Sequence, residues 1–315
     1  MTLSDLRQPV MQAVLHDDIQ DAMDSVERAM HDTVNSEIEV LRDASRHILA
    51  AGGKRVRPRM LMLAYMALGG RDFDYAAAPA AAVELMHTAS VVHDDINDHG
   101  VLRRGRPSVN AIWGRTFALL TGDFLFTSVY RLLAPYKDLN VILANAATAL
   151  VEGETLQAVA VKDKIFTSEM YTRIIALKTA ALFQAAAEMG GRLANANAAQ
   201  IQALAQFGYN VGLSFQIIDD ILDVLGDEAT LGKTSNLDVS QGRGLTSVVD
   251  QPVDNMGEVV ESIKRKLLQG DRIQQGREQA EALVSMAIAQ LEVIPDSPAK
   301  DELINLAEFI LTRDH

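Results

Sequence analysis

Two short acidic runs carry the clearest chemistry in the chain, Asp94-Asp95-Ile96-Asn97-Asp98 and Asp219-Asp220-Ile221-Leu222-Asp223. On a helix the first and last aspartates of each run stand one turn apart on one face, with the middle one beside them. Three like charges so close repel unless a cation sits among them. Hard oxygen donors at this spacing suit Mg²⁺, which takes carboxylates together with substrate phosphate oxygens. A solvated acidic helix end is the plain alternative for either run alone. Each run, however, follows a largely apolar stretch, Ala89-Ser90-Val91-Val92 and Phe215-Gln216-Ile217-Ile218. Facing each other across a cavity, two such clusters could hold several Mg²⁺ ions around one diphosphate and take up charge on a departing group.

Basic residues cluster against an acidic background, since 29 Lys and Arg oppose 42 Asp and Glu for a net charge of −13. Such a balance disfavours nucleic acid and anionic membrane faces as partners. Gly52-Gly53-Lys54-Arg55-Val56-Arg57-Pro58 leads into a helix start, where backbone N–H groups and basic side chains favour an anion. Arg103-Arg104-Gly105-Arg106-Pro107 follows the first acidic run; it suggests a metal and a phosphate held together, or simple charge compensation. Leu231-Gly232-Lys233 and Asp238-Val239-Ser240-Gln241-Gly242-Arg243 sit in a polar stretch after the second run, either a closing loop or an ordinary surface loop.

Helices must position these groups. Ile19, Met23, Val26, Met30, Val34, Ile38, Leu41 and Ile48 recur at helical steps and predict one long amphipathic helix ending at Gly52-Gly53. Further helices are expected from Pro58 to about Ala67, Ala76 to about Asp98, Phe117 to Leu133, Leu139 to Val161, Ser168 to Met189 and Asn195 to Leu225. Gly226 to Gly244 reads as a loop; Gly257 to Leu268, Ile273 to Leu291 and Ala299 to Leu311 read as helices. No stretch alternates convincingly with period two. Aromatics make up only 5% of residues, which favours helices over sheets. The expectation is an all-α fold in a single domain over 1–315. There is no cysteine, so thiol and disulfide chemistry is excluded. Neither a secretion signal nor an uninterrupted apolar run of membrane-spanning length is seen, and a cytoplasmic location is the default.

In order along the chain, Gly52 to Pro58, His87-Thr88-Ala89-Ser90-Val91-Val92-His93-Asp94-Asp95, Arg103-Arg104-Gly105, Gly122-Asp123, Gly153-Glu154, Lys178-Thr179-Ala180, Phe215-Gln216 and Asp219-Asp220 resemble the trans-polyprenyl diphosphate synthase family. The resemblance implies the isoprenoid synthase fold, a helical bundle around a deep central cavity, and a homodimer. It implies that Asp94, Asp95, Asp98, Asp219, Asp220 and Asp223 hold Mg²⁺ on an allylic diphosphate, three ions with substrate bound. Arg103, Lys178 and Lys233 would grip that diphosphate. Lys54, Arg57, His87 and Arg104 would bind isopentenyl diphosphate, and Thr179 and Gln216 would line the reaction centre. The late loop departs from the family, with Asn236 where Gly is usual, Arg243 for Lys, and Leu245-Thr246-Ser247 for Thr-Leu-Pro. Charge is kept at Arg243, so activity is expected to survive.

Product length would be set below Asp94, where Ala89 and Ser90 are small and let a growing chain pass, with Met86 a turn deeper. This predicts a medium- to long-chain product, unless Met86, Leu85, Phe124 or Phe126 stops it earlier; the small pair would otherwise merely allow close helix packing. A class I terpene cyclase would share the metal motif but leave Lys54, Arg57 and His87 unexplained. A non-catalytic subunit of a heteromeric synthase or a plain helical bundle would account for neither acidic run.

Overall fold

The computed structural model describes the backbone of residues 3–97, 100–163, 167–225 and 272–313, and the side chains of 16–97, 100–160, 163, 167–222, 225 and 273–313. Asp98, Lys233 and the predicted segments Gly226 to Gly244 and Gly257 to Leu268 lie outside the described residues, as does the side chain of Asp223.

The long amphipathic helix expected at the start is two helices, α1 (Leu3–Thr33) and α2 (Glu39–Ala50). Local polar groups supply the break. Thr33 Oγ1 bonds back to the Ala29 carbonyl at 2.6 Å, and Ser36 Oγ accepts from the Ile38 N–H at 3.1 Å. These side chains compete with the backbone ladder, and apolar periodicity does not register that competition. Helix α3 (Val56–Ala67) is buried on nearly every side. Helix α4 (Phe73–Asn97) carries Pro79 in its interior. Proline has no N–H for the carbonyl four residues back, and that carbonyl, on Tyr75, instead accepts from the Tyr136 hydroxyl at 2.7 Å.

A two-residue hairpin follows, β1 (Leu102–Arg103) with β2 (Arg106–Pro107) antiparallel. Arg104 and Gly105 turn it with φ of 51° and 73°, as tight hairpins require. Strands this short leave no alternation to read in sequence. Helix α5 (Val109–Leu133) starts on Ser108, whose hydroxyl accepts from the Ala111 N–H, and is kinked at Gly114, where φ 79° and ψ 166° leave the helical region. Then come α6 (Asp138–Asp163) and α7 (Ser168–Ile175). The single helix expected over Ser168 to Met189 is interrupted by a π turn, Ala176–Ala180, before α8 (Ala181–Leu193). Helices α9 (Ala198–Leu225), α10 (Arg272–Gln290) and α11 (Pro298–Thr312) complete the described chain.

Two apolar cores form. One surrounds α4 with α1, α5 and part of α6. The other surrounds α9 with α10 and α11. Helices α3 and α8 join them, because each is apolar on opposite faces. Leu61 and Met62 face the first core and Met60 and Leu63 the second; Leu182 and Phe183 divide likewise.

Helix α5 with the turn after it, Val109–Tyr136, is long and apolar enough to cross a membrane by length and composition, with 39% of its apolar 18-residue window buried in the chain. Polar residues such as Asn110, Arg115, Thr116 and Asp123 interrupt its apolar run, so no uninterrupted stretch marks it in the sequence. Ile112, Phe117, Leu119, Leu120 and Tyr130 lie exposed on this helix.

Candidate active site

A cavity of about 490 Å³ lies between the C-terminal halves of α4 and α9, the π turn, α6 and the start of α3. Its wall brings together Lys54, Arg57, His87, Ser90, Asp94, Arg103, Arg104, Lys178, Thr179, Gln216 and Asp219. Asp95 and Asp220 are not on the wall; both are buried, at 1% and 5% exposure. Ala89 and Met86 belong to the packed core around α4, so of the three residues expected to set product length only Ser90 reaches the cavity.

The two aspartate pairs are built alike. Asp94 on α4 and Asp219 on α9 face the cavity near the C-terminal ends of their helices, where the helix dipoles also favour a cation. The second member of each pair is tied from behind. Asp95 accepts from Arg103 Nε at 3.0 Å and from its Nη2 at 2.5 Å. Asp220 accepts from the Tyr171 hydroxyl at 2.5 Å and from Gln216 Nε2 at 3.0 Å. Gln216 Oε1 in turn accepts from Thr179 Oγ1 at 2.7 Å. Burial first, then the Asp220 charge, pushes the Tyr171 phenol well above its ordinary pKa, which keeps it a donor.

Lys178 is set by backbone packing. A π turn widens the helix and re-aims its side chains, and such turns mark functional positions. At Gly153 of α6 an added Cβ would sit 2.7 Å from the Lys178 backbone N, so only glycine lets the two segments approach. Lys178 Nζ then reaches Glu154 at 2.6 Å and Asp94 at 3.9 Å.

Basic residues also line the cavity. Gly52, Gly53 and Arg55 all take positive φ, at 69°, 155° and 47°. Arg55 is held there by Glu27 at 2.7 Å, Glu84 at 3.1 Å and the Leu49 carbonyl at 3.2 Å. Burial opposes its charge, but the two glutamates more than offset this and raise its pKa. Arg57 is buried against the Phe183 ring, 4.5 Å from its centre, and burial pushes its pKa down to about 10. Burial also lowers Arg104 and Lys54; for Lys54 the Arg313 charge adds to the effect and Asp219 opposes it. His87 lies well below its ordinary pKa, through burial and then the charges of Arg57, Arg104, Arg103 and Arg55, and is neutral near pH 7. Lys54 and Arg104 stay exposed while Arg57 is buried; cations gathered in this way are stabilised by an anion.

Several residues here were missed in the sequence. Arg313, just past α11, lies on the cavity wall with its guanidinium 4.0 Å from the Phe215 ring centre, and it donates to the Phe215 carbonyl at 2.8 Å and to Asp219 at 3.3 Å. A lone arginine after the last helix gives no signal. Tyr171 is likewise silent in sequence. Glu84 is different: a carboxylate one turn before His87 in an Ala-rich, buried helix was a legible sign of a buried partner.

Oxygen donors without thiols, on facing helices and each beside a basic group, are the donor chemistry of a hard divalent cation rather than of a soft metal. Among the described residues no three His, Cys, Asp or Glu side chains converge closely enough to hold an ion by themselves. A ligand bringing its own oxygens, such as a diphosphate, would complete the set.

Residues 38–275 match the family model described as Polyprenyl synthetase. The chain is 32% identical to the octaprenyl diphosphate synthase of Escherichia coli over 93% of this chain and 96% of that one. It is 34% identical to the short chain isoprenyl diphosphate synthase of Methanothermobacter thermautotrophicus over 88% and 91%. Among solved structures it resembles a polyprenyl synthase from Caulobacter crescentus complexed with calcium and isoprenyl diphosphate, with a TM-score of 0.87, 31% identity, and coverage of 95% of this chain and 98% of that one.

Proposed function

The chain belongs to the polyprenyl synthetase family, and we propose that it is a Mg²⁺-dependent trans-prenyltransferase joining isopentenyl diphosphate head-to-tail to an allylic diphosphate. One observation carries this reading. A single cavity holds carboxylates, Asp94 and Asp219, together with a basic cluster, Lys54, Arg57 and Arg104. The carboxylates with metal would take one diphosphate and the basic cluster a second; a cyclase needs only one.

Asp94 and Asp219, with Asp98 and Asp223 from outside the described side chains, would hold the Mg²⁺; Asp95, expected to join them, is buried off the cavity wall on Arg103 and would act by holding that arginine. When bound, the ions supply positive charge to the departing diphosphate. Lys178 and Arg103 add fixed cations at the same oxygens, so breaking the allylic carbon–oxygen bond leaves less uncompensated charge. Lys54, Arg57, Arg104, neutral His87 and Arg313 seat the isopentenyl diphosphate with its double bond toward the allylic carbon. The new carbon–carbon bond forms there, and the proton then lost passes to the released diphosphate. Thr179 and Gln216 face the reacting carbons. The side chains position charge and exclude water; none forms a covalent bond to substrate.

The product we propose is medium- to long-chain, on the strength of small Ser90 at the cavity wall. A short-chain product is the second reading, favoured by Met86 and Ala89 being packed in the core. We assign the chain one catalytic domain, a cytoplasmic location, and a homodimer that covers the exposed apolar side of α5. Incubation with a labelled allylic diphosphate tests the reaction class. Its consumption should require isopentenyl diphosphate; hydrocarbon formed without it would indicate a cyclase.

A further inference from the structure

Asp219 and Asp220 are adjacent on α9, and neighbours on a helix point about 100° apart. They cannot both face one point in the cavity, and they do not. Asp219 is on the wall, whereas Asp220 is buried behind it with one carboxylate oxygen on Tyr171 and the other on Gln216. An ionised carboxylate only accepts, so Gln216 must turn its NH₂ to Asp220, leaving its carbonyl oxygen for the Thr179 hydroxyl. The chain of bonds runs from Tyr171 on α7, through Asp220 and Gln216 on α9, to Thr179 on the π turn. It fixes which end of the Gln216 amide faces which neighbour.

We propose that Tyr171 is a positioning residue of the reaction centre: it anchors Asp220, and Asp220 acts by orienting Gln216 rather than as a metal ligand. This rests on the function proposed above, because it gives Gln216 a place beside the reacting carbons. Without the Tyr171 hydroxyl, a buried carboxylate loses one of the donors that orient it. The Gln216 amide it holds is then less well fixed.

Two readouts test this. The first counts Mn²⁺ bound in the presence of a non-ionisable thiolo analogue of the allylic diphosphate, by electron paramagnetic resonance. Asp219→Asn should bind fewer ions than wild type, while Asp220→Asn and Tyr171→Phe should bind the same number. The second is kinetic. Tyr171→Phe should lower kcat about tenfold, with KM for both substrates within about twofold. In a Gln216→Ala background the same change should cost less than about twofold, because Tyr171 acts through Gln216. Loss of an ion in Asp220→Asn, or an equal kcat penalty for Tyr171→Phe with and without Gln216, overturns the proposal. Should Tyr171→Phe fail to fold, the ion count in Asp220→Asn still decides. A wild-type chain that does not elongate would refute the function, and the ion count would still decide the role of Asp220.

Discussion

Arg313 lies on the Phe215 ring and donates to the Asp219 carboxylate at 3.3 Å. A cation from beyond the last helix thus rests on a carboxylate that the proposed mechanism gives to Mg²⁺. The same guanidinium is near enough to Lys54 to depress its pKa. Arg313 therefore links the carboxylates of the cavity to its basic cluster.

Replacing Arg313 with Ala should raise KM for isopentenyl diphosphate about tenfold or more, the scale of one lost charge-assisted hydrogen bond. KM for the allylic diphosphate should change little, and Arg313→Lys should recover part of the loss. Steady-state kinetics with each substrate varied in turn checks this. Equal KM values in wild type and Arg313→Ala would remove Arg313 from the pocket.

Gly153→Ala places a Cβ against the Lys178 backbone. Overpacking of this kind costs about 1–3 kcal/mol, and here it displaces Lys178, which the proposed mechanism sets on the allylic diphosphate. Thermal unfolding should show a lower Tm, and kcat should fall more than stability alone explains.

Removing divalent metal with a chelator should abolish elongation, and Mg²⁺ should restore it. Asp94→Asn and Asp219→Asn should each lower kcat by about a thousandfold, corresponding to the several kcal/mol of charge stabilisation expected from bound metal. Retained activity in the chelated enzyme would contradict the metal assignment.

His87 sets a pH dependence of stability. Its folded pKa lies well below the ordinary 6.5, so below that pH the unfolded chain binds a proton that the folded chain refuses. Stability is fully present above the unfolded value and falls as pH drops beneath it, by up to about 1.4 kcal/mol per pH unit, until the folded pKa is reached. Denaturant unfolding between pH 7.5 and 5 should show the decline, and His87→Gln should flatten it.

Ser90 and Ala89 separate two accounts of product length. Ser90 is on the cavity wall, so Ser90→Phe should shorten the product. Ala89 is fully buried, so Ala89→Phe should overpack the core and cost at least about 1–3 kcal/mol in stability. Product chromatography and unfolding of both variants check this. Unchanged products from both would end the claim that the growing chain passes this face of α4.

The helical class, most element positions, Asp94, Asp219 and the basic runs at Lys54 and Arg103 were legible from patterns within one segment, whereas His87, Lys178, Thr179 and Gln216 came only from the family resemblance. Apolar periodicity located α4 and α9, and charge in a buried helix flagged Asp94 and Asp219. What escaped depended on contacts between distant segments or on local backbone chemistry. Nothing near Tyr171 indicates that its hydroxyl reaches Asp220, 49 residues away in sequence. Arg313 reads as a terminal charge until α11 packs against α3 and α9. The π turn at Lys178 leaves apolar periodicity almost unchanged. The break after Thr33 was written in Thr33, Asn35 and Ser36, but periodicity outweighed it.

The most direct measurement is reverse-phase chromatography of the products formed from labelled isopentenyl diphosphate, Mg²⁺ and farnesyl or geranylgeranyl diphosphate. The account predicts labelled polyprenyl diphosphates longer than the primer, formed only when both diphosphates and the metal are present. Properly folded protein that leaves the primer unextended would contradict it.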